Sequence, residues 1–206
     1  GDEAVYALIE KMFDTVTACF RTRTVHIGMD EAHHMCRGRY YDQHGDADRA
    51  QVLLEHLNRV AEIGKKHGGR LCRWSDMFFR LACGGEYYAK DAQIDRSVSA
   101  LIPENIELVY WDYYHSEKSH YDAMFTAHET LKSGTWFAGG LWTWTGFAPH
   151  NAFSIRVTRA ALASCREAEI KNIFLTLWGD NGGECSRFAL LPAMFYASQV
   201  MNGETE

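Results

Sequence analysis

The feature that most constrains the fold is a regular alternation of short apolar runs with longer amphipathic segments. Five strand-length runs, rich in β-branched and aromatic residues, are each followed by a segment with apolar residues at helical spacing. One further helix precedes the first run. The predicted helices cover residues 4–21, 46–66, about 90–99, 117–132, 153–168 and 187–201, and the predicted strands cover residues 24–29, 70–77, 106–113, 135–144 and 172–178.

Strands that alternate with helices predict βαβ units and a parallel sheet, either an open doubly wound sheet or a (β/α) barrel. No glycine-rich phosphate loop opens any of the helices, which disfavours a nucleotide-binding Rossmann fold. A complete (β/α)8 barrel needs about 250 residues. The 206 residues therefore predict a partial TIM-barrel type of α/β fold, with five βα units and a leading helix. We predict one catalytic domain over residues 1–206, because no linker interrupts the pattern.

The charge and hydropathy of the chain exclude two classes of partner. The 21 basic residues are outnumbered by 27 acidic ones, giving a formal charge of −6, and no basic cluster is longer than Lys65-Lys66. Nucleic acid and anionic membrane surfaces are therefore not expected partners. No apolar run approaches the roughly 18 residues of a membrane-spanning helix.

The predicted strands end in acids and aromatic residues. In parallel α/β folds the carboxyl ends of the strands gather the functional residues, and side chains two apart share a face. Indole rings stack on the apolar faces of sugars, and carboxylates accept hydrogen bonds from sugar hydroxyls. The pattern therefore predicts a carbohydrate site formed by His26, Asp30, Glu31, Trp74, Tyr110, Asp112, Trp142, Trp144, Trp178 and Asp180.

The neighbouring acids Asp30 and Glu31 indicate a particular kind of hydrolysis. Most glycosidases place two carboxyl groups about 5 to 9.5 Å apart on opposite sides of the sugar, which sequence neighbours do not readily do. Such a pair instead suits substrate assistance, in which one carboxyl is the general acid and the other orients a nucleophile belonging to the substrate.

The segment His26-Ile-Gly-Met-Asp30-Glu31 resembles the H-x-G-x-D-E signature of family 20 glycoside hydrolases, the β-N-acetylhexosaminidases. The later segments WSDM, YWD, WTW and LWGD follow in that family's order, so the resemblance covers residues 20–185. It aligns the chain with the family's barrel from the fourth strand to the eighth. It implies hydrolysis of terminal β-linked N-acetylglucosamine or N-acetylgalactosamine through an oxazolinium intermediate, without a cofactor.

The resemblance also implies a role for each matching residue. Glu31 matches the general acid and base, and Asp30 matches the residue that orients the 2-acetamido group. Tyr110 matches the tyrosine that hydrogen-bonds the acetamide carbonyl. The remaining matches are substrate-binding: the signature histidine His26, the pocket walls Trp74, Trp142, Trp144 and Trp178, and the hydroxyl-binding acids Asp112 and Asp180.

The sequence departs from the family in two respects. The family's first three strands, including an arginine that binds sugar hydroxyls, have no counterpart here, and Asp180 stands where many relatives have glutamate. An alternative is therefore an inactive, truncated barrel that binds carbohydrate, or one that needs a second copy or a complementing chain. The segment WTWTGFAPHN resembles the compact, often intracellular branch of the family, which implies a cytoplasmic location.

Two other chemistries compete for the same region. His33, His34 and His44 suggest a metal site, but no helical ligand spacing such as H-E-x-x-H is present. Cys36 lies beside histidines and arginines that lower thiol pKa values, which suggests covalent cysteine catalysis. We expect neither, and so predict no metal in the site.

Overall fold

A computed structural model describes residues 2–92, 94–131 and 133–203. Helices and strands alternate in it as the sequence predicts. The helices are α1 (Glu3–Cys19), α2 (Arg39–His44), α3 (Arg49–Lys66), α4 (Asp76–Ala82), α5 (Arg96–Ala100), α6 (Lys118–Glu129), α7 (Asn151–Glu167) and α8 (Leu191–Met201). The strands are β1 (Thr24–His26), β2 (Arg70–Trp74), β3 (Ile106–Trp111), β4 (Thr135–Gly140) and β5 (Ile173–Thr176). None of the helices in these ranges has the length and apolar character needed to cross a bilayer.

The strands lie in the sheet in the same order as in the sequence, β1-β2-β3-β4-β5. β1 runs parallel to β2 with His26 opposite Cys72, β2 runs parallel to β3, and β4 runs parallel to β5. A doubly wound sheet reverses its strand order at a switch point, whereas a (β/α) barrel does not. The strand order is therefore that of a (β/α) barrel, of which the described residues supply five strands.

The chain forms two compact units, the first comprising Gly1–Val109 and Ala127–Gly134. In its core, helix α3 packs its apolar face on β2, and Leu57 and Leu71 are completely buried. Gly64 allows the close approach, because a Cβ there would lie 2.7 Å from Cδ1 of Leu71. α1 packs against α3, with the guanidinium of Arg59 stacked over the ring of Tyr6.

The second unit comprises Tyr110–Thr126 and Thr135–Glu206. Edge-to-face contacts join Phe125 of α6, Phe137 of β4 and Tyr110 of β3 in one part of its core. In another part, Leu141 and Leu190 are buried against the side chain of Leu175 and its neighbours. α7 packs on both β4 and α8, which covers this side of the strands.

All five predicted strands are shorter in the structure than in the sequence analysis, and the first two show why. The first ends at His26, because Gly28 and Met29 take positive φ angles of 68° and 69° that extended strands do not adopt. The second ends at Trp74, and residues 76–82 form α4 with Phe79 buried in the core. The strand prediction over residues 75–77 was therefore wrong, because the chain enters a helix directly after Ser75 and buries four consecutive residues there, Asp76 to Phe79.

The helix boundaries also differ in places. The sequence did not predict α2, and the helix predicted over 187–201 begins with a 3₁₀ turn, Arg187–Leu190, before α8 starts at Leu191. Pro192 lies in the first turn of α8, where its missing N–H leaves no intrahelical bond unmade. Positions 93 and 132 of two predicted helices lie outside the described residues.

Candidate functional site

The loop after β1 presents the predicted acids Asp30 and Glu31 at exposed positions. Three of its residues have left-handed backbone angles, with φ values of 68° at Gly28, 69° at Met29 and 47° at Glu31. Residues other than glycine rarely adopt this conformation, which costs about 1–2 kcal/mol per residue. Contacts from elsewhere in the fold must therefore hold the loop in this shape.

Arg73, a fully buried residue of β2, provides one such contact. Its Nη2 donates a hydrogen bond to the carbonyl oxygen of Met29 at 3.0 Å, and its Nε donates to the carbonyl oxygen of Trp74 at 2.9 Å. Burial lowers the pKa of Arg73 to about 10, while nearby carboxylates act to raise this pKa. The guanidinium therefore stays charged at neutral pH. A second contact comes from α4, where Oδ2 of Asp76 accepts a hydrogen bond from the backbone N–H of Glu31 at 2.9 Å.

The side chain of Glu31 contacts a tyrosine that the sequence analysis did not predict. The hydroxyl of Tyr87 donates to Oε1 of Glu31 at 2.8 Å and lies 3.4 Å from Nε2 of His33. Arg80 of α4 stacks its guanidinium 4.2 Å from the centre of the Tyr87 ring. Burial and the hydrogen bond to Glu31 raise the pKa of Tyr87 to about 12, so its hydroxyl remains a donor at neutral pH.

His26 and Trp74 lie side by side at the ends of β1 and β2. Their ring centroids are 4.3 Å apart, and the backbone N–H of Gly28 donates to Nδ1 of His26 at 3.1 Å. Burial, with a smaller effect of Arg73, lowers the pKa of His26 to about 4, so the imidazole is neutral at pH 7. Because Nδ1 accepts a hydrogen bond, Nε2 carries the proton and offers a donor.

Tyr110, predicted to hydrogen-bond the acetamide carbonyl, lies in the core of the second unit. Its ring packs edge-to-face on Phe125 and Phe137, with centroids 5.5 and 5.6 Å away, and is almost completely buried. Its hydroxyl donates to Oδ2 of Asp112 at 2.8 Å. The side chain therefore faces α6 and the core, because Tyr110 lies on the helix-facing side of β3.

Asp112, predicted to hold sugar hydroxyls, is likewise buried, with 1% of its surface exposed. Its carboxylate accepts hydrogen bonds from the backbone N–H of Tyr114 at 2.9 Å and from Nδ1 of His115 at 2.7 Å. Burial alone raises the pKa of Asp112, but the hydrogen bonds from His115, His120 and the backbone outweigh it and lower the pKa to about 2. The carboxylate is therefore ionised and held by neighbouring protein groups rather than directed to solvent.

The tryptophans after β4 form an aromatic cluster in the second unit. The rings of Trp142 and Trp144 lie 4.8 Å apart, and Trp142 donates from Nε1 to the carbonyl oxygen of Tyr113 at 2.7 Å. Gly140 lies against this cluster. A Cβ at position 140 would be only 2.6 Å from the Tyr113 ring. Both tryptophans remain partly exposed, as a surface that stacks on a sugar requires.

Trp178 and Asp180 follow β5 and are both exposed. Thr143 donates from Oγ1 to the carbonyl oxygen of Trp178 at 2.6 Å, which ties this loop to the one after β4. Asp180 begins a 3₁₀ turn that ends at Gly182, and Asn181 within it has a φ of 56°.

Within each unit the structure brings together some of the predicted residues. His26 contacts Trp74 in the first unit, while in the second Tyr110 contacts Asp112 and Trp142 contacts Trp144. Sequence reasoning missed four residues that contact them: Arg73, Tyr87, His115 and His120. Asp76 lies in the WSDM segment, whose end the sequence analysis had singled out, whereas Tyr87 contacts Glu31 from 56 positions away, so no local spacing indicates it.

The metal alternative at His33, His34 and His44 has no matching geometry in the described part of the chain. There, the group of side chains close enough to share a metal ion is Asp112, His115 and His120, all in the second unit. Cys36, the candidate for covalent chemistry, is partly buried with a left-handed backbone.

The described residues thus define a parallel α/β chain with the strand order of a (β/α) barrel. Comparison with known proteins supports this fold. The chain is similar to two crystal structures of a family 20 exo-β-N-acetylglucosaminidase from Vibrio harveyi, one of an inactive mutant and one in complex with N-acetylglucosamine. Each is 14% identical in sequence with a TM-score of 0.55, and the match covers 95% of this chain but 30% of the Vibrio chain. No protein-family model matches the sequence, and no curated protein matches it significantly.

Proposed function

We propose that the chain is part of a β-N-acetylhexosaminidase, which removes terminal, non-reducing β-linked N-acetylglucosamine or N-acetylgalactosamine. The observation that carries the proposal is the exposed pair Asp30 and Glu31, on a loop fixed by buried Arg73 and by Asp76. Two adjacent carboxyl groups on one rigid loop suit substrate assistance better than attack from opposite sides of the sugar. The likeness in fold to the Vibrio N-acetylglucosaminidase supports the same proposal.

In the first step, the acetamide carbonyl oxygen of the substrate attacks the anomeric carbon. The bond from that carbon to the glycosidic oxygen breaks, and Glu31 gives its proton to the departing oxygen from Oε2. Asp30 accepts a hydrogen bond from the acetamide N–H and stabilises the positive charge of the oxazolinium ion that forms. The Tyr87 hydroxyl holds Oε1 of Glu31 and so fixes the direction in which Oε2 points.

In the second step, the Glu31 carboxylate takes a proton from water as the water oxygen attacks the anomeric carbon. The bond between that carbon and the acetamide oxygen breaks, which restores the acetamide, and two inversions at the same carbon give net retention. Glu31 ends protonated, ready for another cycle, and no cofactor is needed.

The proposed sugar contacts come from residues that remain accessible. In the first unit, His26 offers its Nε2–H to a hydroxyl. In the second unit, the carboxylate of Asp180 and the rings of Trp142, Trp144 and Trp178 are exposed or partly exposed and are the candidates for hydroxyl binding and stacking. Trp74, Tyr110 and Asp112 are left out of this proposal because their side chains are buried. We further propose that the five strands work as part of a larger barrel, and that the protein is cytoplasmic.

The test is hydrolysis of a chromogenic N-acetyl-β-glucosaminide by the chain and by Glu31→Gln. We expect turnover of the acetamido sugar but not of the matching β-glucoside, and a loss of at least 100-fold in kcat for the variant. Glu62→Gln, the same change at an exposed position of α3, is the matched control and should retain full activity. Absence of turnover from a folded sample would overturn the proposal for this chain and favour the inactive, carbohydrate-binding alternative.

A further inference from the structure

Three side chains with metal-binding atoms converge between the end of β3 and the first turn of α6. Oδ2 of Asp112 lies 2.7 Å from Nδ1 of His115 and 3.1 Å from Nε2 of His120. The two imidazole rings are stacked in parallel, with centroids 3.5 Å apart and 9° between their planes. All three ligand atoms lie within 4.8 Å of one another.

The surroundings of this cluster are those of a built site rather than a surface coincidence. Asp112 and His120 are buried, while about a third of the His115 side chain is exposed, so one side of the cluster meets solvent. Tyr110 donates to Oδ2 of Asp112, and the backbone N–H of Tyr114 donates to Oδ1. Such outer hydrogen bonds orient a ligating carboxylate in metal sites.

We propose that Asp112, His115 and His120 bind a divalent transition-metal ion of the zinc type, through Oδ2, Nδ1 and Nε2 respectively. Two imidazole nitrogens and one carboxylate oxygen are ligands typical of zinc, whereas magnesium and calcium prefer oxygen alone. Tetrahedral ligands at about 2.0–2.1 Å from zinc are about 3.3 Å apart. The present separations of 2.7 and 3.1 Å are shorter than this. Metal binding therefore requires the three side chains to move apart and the two imidazoles to turn out of their parallel stack, so that both lone pairs point at one ion. Water on the exposed side of His115 supplies the fourth ligand.

The metal would link the end of β3 to the start of α6. The inference does not depend on the proposed hydrolysis, because the three ligands take no part in it and zinc binding is measured without substrate.

The experiment is a zinc titration of chelator-treated protein by calorimetry, with a chromophoric zinc indicator as competitor. We expect one zinc ion per chain, and an affinity at least 100-fold lower in Asp112→Asn and His120→Gln. His44→Gln, an exposed histidine elsewhere in the chain, is the control and should bind as the wild type does. Zinc should also raise the Tm of the wild type but not that of the ligand variants.

His115→Gln is the variant expected to fold like the wild type, because the side chain of His115 is the least buried of the three. Circular dichroism of the metal-free variant should match the wild type, and its zinc affinity should be lost. A wild-type chain that binds no zinc overturns the proposal. So does a folded His115→Gln variant that binds zinc with unchanged affinity and stoichiometry.

Discussion

Replacing Arg73 with methionine removes the buried guanidinium that holds the acidic loop. Methionine keeps an apolar stem along the path of the arginine side chain, while the contact between the guanidinium carbon and the Phe78 ring, 4.8 Å apart, is lost. The change deletes the hydrogen bonds to the carbonyl oxygens of Met29 and Trp74 and leaves both acceptors without this donor. The perturbation therefore separates the polar contribution of Arg73 from its volume.

The expected size of the effect follows from these contacts. A hydrogen bond from a charged donor contributes about 1.5–3 kcal/mol, and two are lost. Removing the desolvation cost of the buried cation offsets part of this loss, while the carboxylate of Asp76 loses its attraction to Arg73. We expect the free energy of unfolding to fall by about 3–5 kcal/mol, the range measured when one member of a buried ionic contact is removed.

The assay is urea unfolding followed by tryptophan fluorescence and circular dichroism. Arg70→Met is the matched control, since Arg70 lies on the same strand but its side chain is mostly exposed and pairs with Glu107 at the surface. Exposed pairs contribute at most about 1 kcal/mol, so the control should unfold close to the wild type. If Arg73→Met unfolds within 1 kcal/mol of the control, Arg73 does not stabilise the loop and the reasoning fails.

Two further predictions concern activity and packing. Tyr87→Phe should lower kcat/KM for the chromogenic substrate about tenfold at unchanged Tm, because Glu31 loses its hydrogen-bond donor. Tyr41→Phe is the control, and equal activity of the two variants would contradict the proposed role of the contact. Gly140→Ala should lower the free energy of unfolding by about 1–3 kcal/mol and alter the near-ultraviolet circular dichroism, because the new Cβ overlaps the Tyr113 ring. An unchanged spectrum and Tm would contradict this prediction, because they would show that the aromatic cluster accommodates the Cβ.

Much of the fold was open to prediction because it depends on periodicity. The amphipathic pattern of residues 46–66 gave α3 to within three residues, and Asp48 caps it by accepting from the N–H groups of Ala50 and Gln51. Short apolar runs carry less information, since Met77 to Phe79 fit a strand as well as a helix until packing decides. Arg73 illustrates a further limit, because nothing in a strand pattern distinguishes a buried arginine from an exposed one.

The candidate site, like the fold, could be predicted from the sequence only in part. Alternation along β3 correctly places Tyr110 and Asp112 on one face, and their side chains do contact each other. It does not say which face, and the packing of Tyr110 on Phe125 shows that this face is turned to α6. Contacts such as that between Tyr87 and Glu31 join residues far apart in sequence, so no local spacing reveals them.

Because the backbone at Glu31 is left-handed, the residue that would be most stable at this position is not the residue that the proposed catalysis requires. Glycine adopts such angles without strain, so exchanging Glu31 for glycine relieves a conformational cost of about 1–2 kcal/mol while it deletes the carboxyl group. A laboratory selection that rewards thermal resistance alone would therefore favour glycine here. An effort to raise the thermal stability of this protein has to assay variants at position 31 for activity separately, because selection for stability alone would replace the glutamate.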